Sequence, residues 1–206
     1  DFTIECFVKV ADVSATAGTI FTLGNESNNS SIGINLDNSQ STHVYADTGA
    51  KCIFPDNTLG KNQWKHLAVT KSSNIIRYFV DGQSASTTYT QTNSIGGGSD
   101  GYLTIGATDT DGTKGSYFNG RISDFRIIKG TALYTSSFRA PTAALTNVTN
   151  TVLLCLNGSG STDSTVTPAT ITSSGYIVTY NDGPFDDPSH FIFGENEDQN
   201  LIKCGD

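Results

Sequence analysis

The residues best suited to chemistry in this chain are carboxylates on a turn. Asp109-Thr-Asp-Gly112 sets two carboxylates two residues apart, with Thr110 and backbone carbonyls beside them. Oxygen ligands on a flexible loop suit calcium, and Asp47 can contribute from another loop. The expected metal set is therefore Asp47, Asp109 and Asp111. The competing expectation is a turn in which each Asp bonds its own backbone. No full EF-hand pattern is present.

A second set is aromatic. Trp64, Tyr45, Tyr89 and Tyr117 are candidates to stack on sugar rings. Burial is the expectation for Trp64. Tyr89 and Tyr117 stand near strand ends, so these two are the expected ligand-binding residues.

Catalytic patterns are weaker. Gly97-Gly-Ser-Asp-Gly101 fits Gly-x-Ser-x-Gly, and Gly96 to Gly101 also fits Gly-x-Gly-x-x-Gly. Both motifs need a helix to follow, whereas Tyr102-Leu-Thr-Ile105 reads as a strand, so a hairpin loop is expected. His43, His66 and His190 are tied to no visible nucleophile. Glycoside hydrolysis needs two carboxylates roughly 5–10 Å apart across a cleft, and no strand here aims alternate acids at one face. Glu195, Glu197 and Asp198 come nearest, in what reads as a solvated acidic loop. No enzyme is expected.

These side chains hang on strands. Gly120-Arg-Ile-Ser-Asp-Phe-Arg-Ile-Ile-Lys-Gly130 alternates, with Ile122, Asp124, Arg126 and Ile128 on one side and Ser123, Phe125 and Ile127 on the other. A period of two is a strand signal. The opening stretch places Phe2, Ile4, Cys6 and Val8 on one face. Ile32-Gly-Ile-Asn-Leu36 alternates again. Asp81-Gly82 between two alternating runs is a hairpin signal, because a type I′ turn wants positive φ at both central residues. Many short strands with Gly and Asx turns and no amphipathic helix predict an all-β, antiparallel two-sheet sandwich.

Several of these stretches resemble one family. Asp1-Phe-Thr-Ile-Glu5, Trp64-Lys-His-Leu-Ala-Val-Thr70, Phe79-Val-Asp-Gly82, the Gly120–Gly130 stretch running on to Tyr134-Thr135, and Phe138-Arg-Ala-Pro-Thr-Ala-Ala-Leu145 are similar, in order, to motifs of laminin-G-like, concanavalin A-like jelly-roll domains. Such domains recur in bacteriophage and marine-virus structural proteins. Cys6 and Phe7 depart from the usual Phe and Trp but remain apolar. The resemblance implies a jelly roll over 1–145, with 146–206 either completing the sandwich or starting the next module. It implies calcium at the sandwich rim and a virion surface setting, in a tail fibre, tail or decoration protein of a cyanophage type. The partners implied are a host surface glycan, other virion proteins or copies of the chain itself. A purely architectural subunit is the alternative.

Composition agrees with this reading and excludes others. The chain has 206 residues, 36% hydrophobic, with 11 Phe and 8 Tyr to build a core. A net charge of −8 argues against nucleic acid, which needs a basic footprint, and against anionic lipid. No apolar run is long enough to span a bilayer, so no membrane insertion is expected. The chain opens directly on a strand and carries no Met, as expected of a piece of a longer or processed polypeptide. Cys6, Cys52 and Cys155 sit in apolar patterns and are expected to be free and buried. With Cys204 the count is even, which leaves disulfides open.

Overall fold

Apolar alternation predicts strands that bury one face, and the fold consists of such strands. A computed structural model describes residues 1–11, 18–27, 29–96, 102–175, 177–180, 183–185, 190–193 and 201–204. Among the described residues all regular elements are strands. They run β1 (Phe2–Val10), β2 (Gly18–Leu23), β3 (Ile32–Leu36), β4 (Thr42–Ala46), β5 (Gly49–Phe54), β6 (Trp64–Ser72) and β7 (Ile75–Val80). Short strands follow: β8 (Gln83–Ser84), β9 (Tyr89–Thr90), β10 (Leu103–Ile105), β11 (Thr108–Thr110) and β12 (Thr113–Gly115). Then come β13 (Gly120–Lys129), β14 (Thr151–Cys155), β15 (Ser164–Val166), β16 (Ile171–Ser174), β17 (Thr179–Tyr180), β18 (His190–Phe193) and β19 (Leu201–Cys204).

Two sheets and one hairpin result. The larger sheet runs β15-β14-β13-β1-β6-β7-β8, with β9 on β7 and the pair β17–β18 on β13. The second runs β16-β19-β10-β2-β3-β4-β5, and β11–β12 form a separate hairpin. The named strands pair antiparallel throughout. The expected antiparallel sandwich is thus the fold. Its core lies between the sheets, with Ile4, Cys6 and Val8 of β1 facing Phe21, Ile34 and Val44 of the other layer in one buried cluster. At Asp81-Gly82 the φ values are 48° and 76°, the positive pair that a type I′ turn requires.

One expectation fails inside β13. Ile122 was expected beside Arg126, yet Ile122 lies in the core with Phe125 while Arg126 faces outward. The β1–β13 register shifts between Glu5 and Phe7, and Asp124 sits at φ 52°. This bulge inserts an extra residue and reverses the alternation.

On the outer face of the large sheet, a buried polar cluster pins the returning chain. Glu5 Oε1 accepts from Arg126 Nε at 3.0 Å and Nη2 at 2.6 Å. Glu5 Oε2 accepts from Tyr134 OH at 3.0 Å and lies 3.0 Å from His66 Nε2, so Nε2 carries the donor hydrogen. Burial pushes the Glu5 carboxyl up, but the His66 bond and the Arg126 charge outweigh it and hold it below its ordinary value. Arg126 Nη1 also donates to Thr146 O at 2.6 Å. Tyr134 stacks on Phe138 at 3.5 Å between centroids. The family-like residues His66, Arg126 and Tyr134 therefore fasten residues 131–146 across the sheet.

Candidate functional site on the seven-stranded sheet

The polar half of the same alternation builds the outer face of the second sheet. Ile32, Ile34 and Leu36 of β3 and Val44 and Ala46 of β4 enter the core. Gly33 and Asn35 of β3 and His43 and Tyr45 of β4 therefore face outward. The register sets them in two rows. One runs Thr19–Asn35–His43 across β2, β3 and β4. The other runs Thr104–Thr22–Gly33–Tyr45 across β10, β2, β3 and β4. Gly33 contributes no side chain, and a Cβ there would come within 2.5 Å of Phe21 O. The second row thus carries no side chain at its centre, where buried Gly33 lies beside the half-buried ring of Tyr45.

Glu26 closes over this face from the loop between β2 and β3. Asn35 Nδ2 donates to Glu26 Oε1 at 3.5 Å. Burial raises the Glu26 carboxyl above its ordinary value and the Asp109 charge adds to the rise, while hydrogen bonds from Asn35 and Thr22 act against it. Tyr45 is raised by burial and by Glu26. His43 is lowered by burial, against the pull of Asp37. Thr19 Oγ1, Thr104 Oγ1 and Asn35 Oδ1 are buried without a hydrogen-bond partner. Thr19 and Asn35 are direct cross-strand neighbours, so the unused hydrogen-bonding capacity collects at one place.

The β11–β12 hairpin folds back over the β2 and β10 side of this face. Glu26 N donates to Asp109 O at 3.1 Å. At the tip, Asn25 Nδ2 donates to Asp111 Oδ1 at 2.6 Å and Ser27 Oγ to Asp111 Oδ2 at 3.0 Å. Asp109 is fully buried. Its Oδ1 accepts from Gly112 N at 3.0 Å, and its Oδ2 pairs with Lys114 Nζ. Lys114 Nζ also lies 4.9 Å from the centre of the Tyr102 ring.

The expected site residues fall in separate places. Asp109 and Asp111 share the hairpin, each held as just described. Asp47 sits on the turn between β4 and β5, where it accepts from Tyr89 OH. Lys51 Nζ lies 4.6 Å over the Tyr89 ring, so one ring face and the hydroxyl are occupied. Tyr117 is half-buried and bridges Thr19 through its backbone. The structure joins Asp47 with Tyr89 but does not gather the three aspartates. Among the described residues no group of three or more His, Cys, Asp or Glu is placed to hold a metal. The donor set does not fit calcium as it stands, because buried Asp109 already holds an ammonium.

Other candidates resolve as follows. His66 lies in the buried cluster with Glu5. Cys6, Cys52 and Cys155 are free and buried, as expected. Gly97 to Gly101, Glu195, Glu197 and Asp198 lie outside the described residues, as do the side chains of His190 and Cys204. Sequence reading missed Asn35 and Glu26. The alternation of Ile32 to Leu36 held the signal for Asn35, whereas nothing local marks Glu26.

Residues 1–134 match the Laminin_G_3 family, described as the concanavalin A-like lectin/glucanases superfamily. Among solved structures, a protein from Bacteroides ovatus described as carbohydrate-binding is 16% identical, covering 98% of this chain and 52% of its own, with a TM-score of 0.50. The CBM40 module of the Ruminococcus gnavus IT-sialidase, solved with α2,3-sialyllactose, is 14% identical, covering 58% and 70% of the two chains, with a TM-score of 0.47. A heptameric SAP-like pentraxin from Limulus polyphemus is 15% identical, covering 61% and 62%, with a TM-score of 0.42. At 16% identity the likeness to the Bacteroides ovatus protein is one of fold. No curated protein matches the chain.

Proposed function

The chain belongs to the concanavalin A-like lectin/glucanases superfamily, and from that membership and the outer face of its second sheet we propose that it is a non-enzymatic, glycan-binding adhesion module. The observation that carries this reading is the grouping of Tyr45, Asn35, Glu26 and His43 on neighbouring positions of β3, β4 and the loop above them. A sugar ring offers an apolar face for an aromatic ring and hydroxyls for amide, carboxylate and imidazole groups. A few polar groups converging beside an aromatic surface are the usual makings of such a site. Hydrolysis is the less favoured reading. It needs a second carboxylate facing Glu26, and both oxygens of Asp109 and of Asp111 are engaged.

The setting we propose is the surface of a virion, in a tail fibre, tail or decoration protein. The module would there hold a host glycan or a neighbouring virion protein. Support for that setting is the resemblance of the strand motifs to virion structural proteins. Leu133, 41% exposed on the segment crossing the large sheet, and Val148, 38% exposed just beyond it, favour the architectural alternative, in which this side meets other chains.

A glycan array probed with the folded chain tests the adhesion reading. Saturable binding to a glycan class is expected, with loss of at least about tenfold in affinity for Tyr45→Ala. Binding unchanged in both Tyr45→Ala and Asn35→Ala would remove this face from the account. A folded chain that binds no glycan would leave the architectural reading.

A further inference from the structure

At one end the two sheets part around a cavity of about 650 Å³. It opens to solvent on one side, and its size falls in the range of small-molecule sites, about 300–1,000 Å³. The larger part of its wall is apolar. Leu23, Ile95 and Leu103 line it on the side of the second sheet, and Phe2, Ile127 and Leu153 on the side of the first. Phe2, Leu23, Ile95 and Ile127 are partly buried rather than closed over, so this apolar surface is left incompletely covered.

The mouth of the cavity is cationic. On β6, Leu67 and Val69 face the core, and the same alternation turns Lys71 inward. Lys71 and Lys129 are both direct cross-strand neighbours of Phe2, on β6 and β13. All three line the cavity, as a row Lys129–Phe2–Lys71. Lys71 is 9% exposed, and its Nζ donates to Asn93 O at 3.0 Å. Among the described residues no carboxylate pairs with it. Asp1, also at the mouth, directs Oδ1 to Ser73 N at 3.0 Å. A buried ammonium without a counter-charge is costly. Lys71 on a core-facing position and Lys129, exposed at the rim, set two cations on either side of Phe2 in a chain of net charge −8.

We propose that this cavity binds a single-chain amphiphile of the fatty-acid class, its carboxylate paired with Lys71 and Lys129 and its hydrocarbon tail between the sheets. The site is separate from the outer face of the second sheet and does not depend on the glycan reading. Apolar walls take the tail through the hydrophobic effect. Charge-assisted hydrogen bonds from Lys71 and Lys129 take the head.

Calorimetric titration of the folded chain with decanoate, 1-decanol and decyltrimethylammonium, each below its micelle concentration, tests the proposal. Saturable one-site binding of decanoate is expected, weaker binding of decanol, and weaker still of the cationic amphiphile. Lys71→Met should weaken decanoate by about tenfold and leave decanol within about twofold. Lys129→Gln, at an exposed position that leaves the fold intact, should weaken decanoate by a few fold. Ile127→Trp, which fills the cavity, should abolish both. Absence of saturable decanoate binding overturns the proposal. So does equal affinity for the cationic amphiphile, or decanoate affinity unchanged in Lys129→Gln and Lys71→Met together.

Discussion

Asn35 and Glu26 meet above the second sheet, Asn35 Nδ2 donating to Glu26 Oε1 at 3.5 Å, although one is a strand residue and the other stands in a polar loop. The contact fixes where the carboxylate sits, and burial with the nearby Asp109 charge raises its pKa. A carboxyl raised in the folded state binds more protons there than in the unfolded chain, across the window just above the ordinary Glu value. Stability therefore falls as pH rises through that window. Glu26→Gln, which removes the titration, should flatten the fall in melting temperature over this range. A variant melting curve with the wild-type pH slope would remove Glu26 as its source.

The alternation of Phe2 to Val8 and of Ile32 to Leu36 made the sandwich legible, because burial of one face is written at period two. The candidate face was half legible for the same reason. Asn35, His43 and Tyr45 follow from strand alternation, but which rows they join depends on register between strands, which no local pattern states. Glu26 was illegible, since a loop residue's position depends on where its loop folds. Asp109 looked like a metal ligand because its counter-ion, Lys114, is five residues on and reaches it only once the hairpin closes. The reversal at Asp124 was hidden because a bulge leaves the residue types of a strand unchanged.

The buried pair of Glu5 and Arg126 should govern the acid limit of the fold. Arg126→Met leaves Glu5 without its main cation in a site that excludes water. Breaking such a pair costs about 3–5 kcal/mol, to be read from urea denaturation. Adding Glu5→Gln to Arg126→Met should recover much of the loss. The pKa of Glu5 is lowered in the folded state. Its contribution is therefore complete above the unfolded value and is lost as pH falls through the folded one. Glu5→Gln should accordingly show a shallower acid unfolding limb than the wild type.

Gly82 should admit no side chain. Its φ is +76°, and a Cβ would lie 2.0 Å from Phe138 O. Phe138 N in turn donates to Gly82 O at 2.9 Å, so the crossing segment is fastened at this turn. Gly82→Ala should destabilise by at least about 2 kcal/mol, from the strained backbone and the displaced segment. Gly112, also at positive φ (+82°) but with open space around it, should lose about 1 kcal/mol on the same change. Equal losses at the two positions would show that backbone conformation alone, and not the approach of Phe138, sets the cost.

The hairpin should depend on Lys114. Asp109 is fully buried, while Lys114 keeps 20% of its side chain exposed. Lys114→Met strands a carboxylate beneath the hairpin, and an uncompensated buried charge costs about 3–5 kcal/mol. The hairpin hangs on Glu26 N, Asn25 and Ser27, so the cost should appear as local opening before global unfolding. Amide exchange at Gly112 and Glu26 should quicken by about tenfold or more, with the core amides of β1 and β6 little changed. Lys114→Met with Asp109→Asn, which removes the stranded charge, should return exchange toward the wild-type rate. If the single and double variants exchange alike, the ion pair does not hold the hairpin down. The outer face beside Tyr45 would then owe its shape to the contacts of Asn25 and Ser27 with Asp111 and to the Glu26 N–Asp109 O bond.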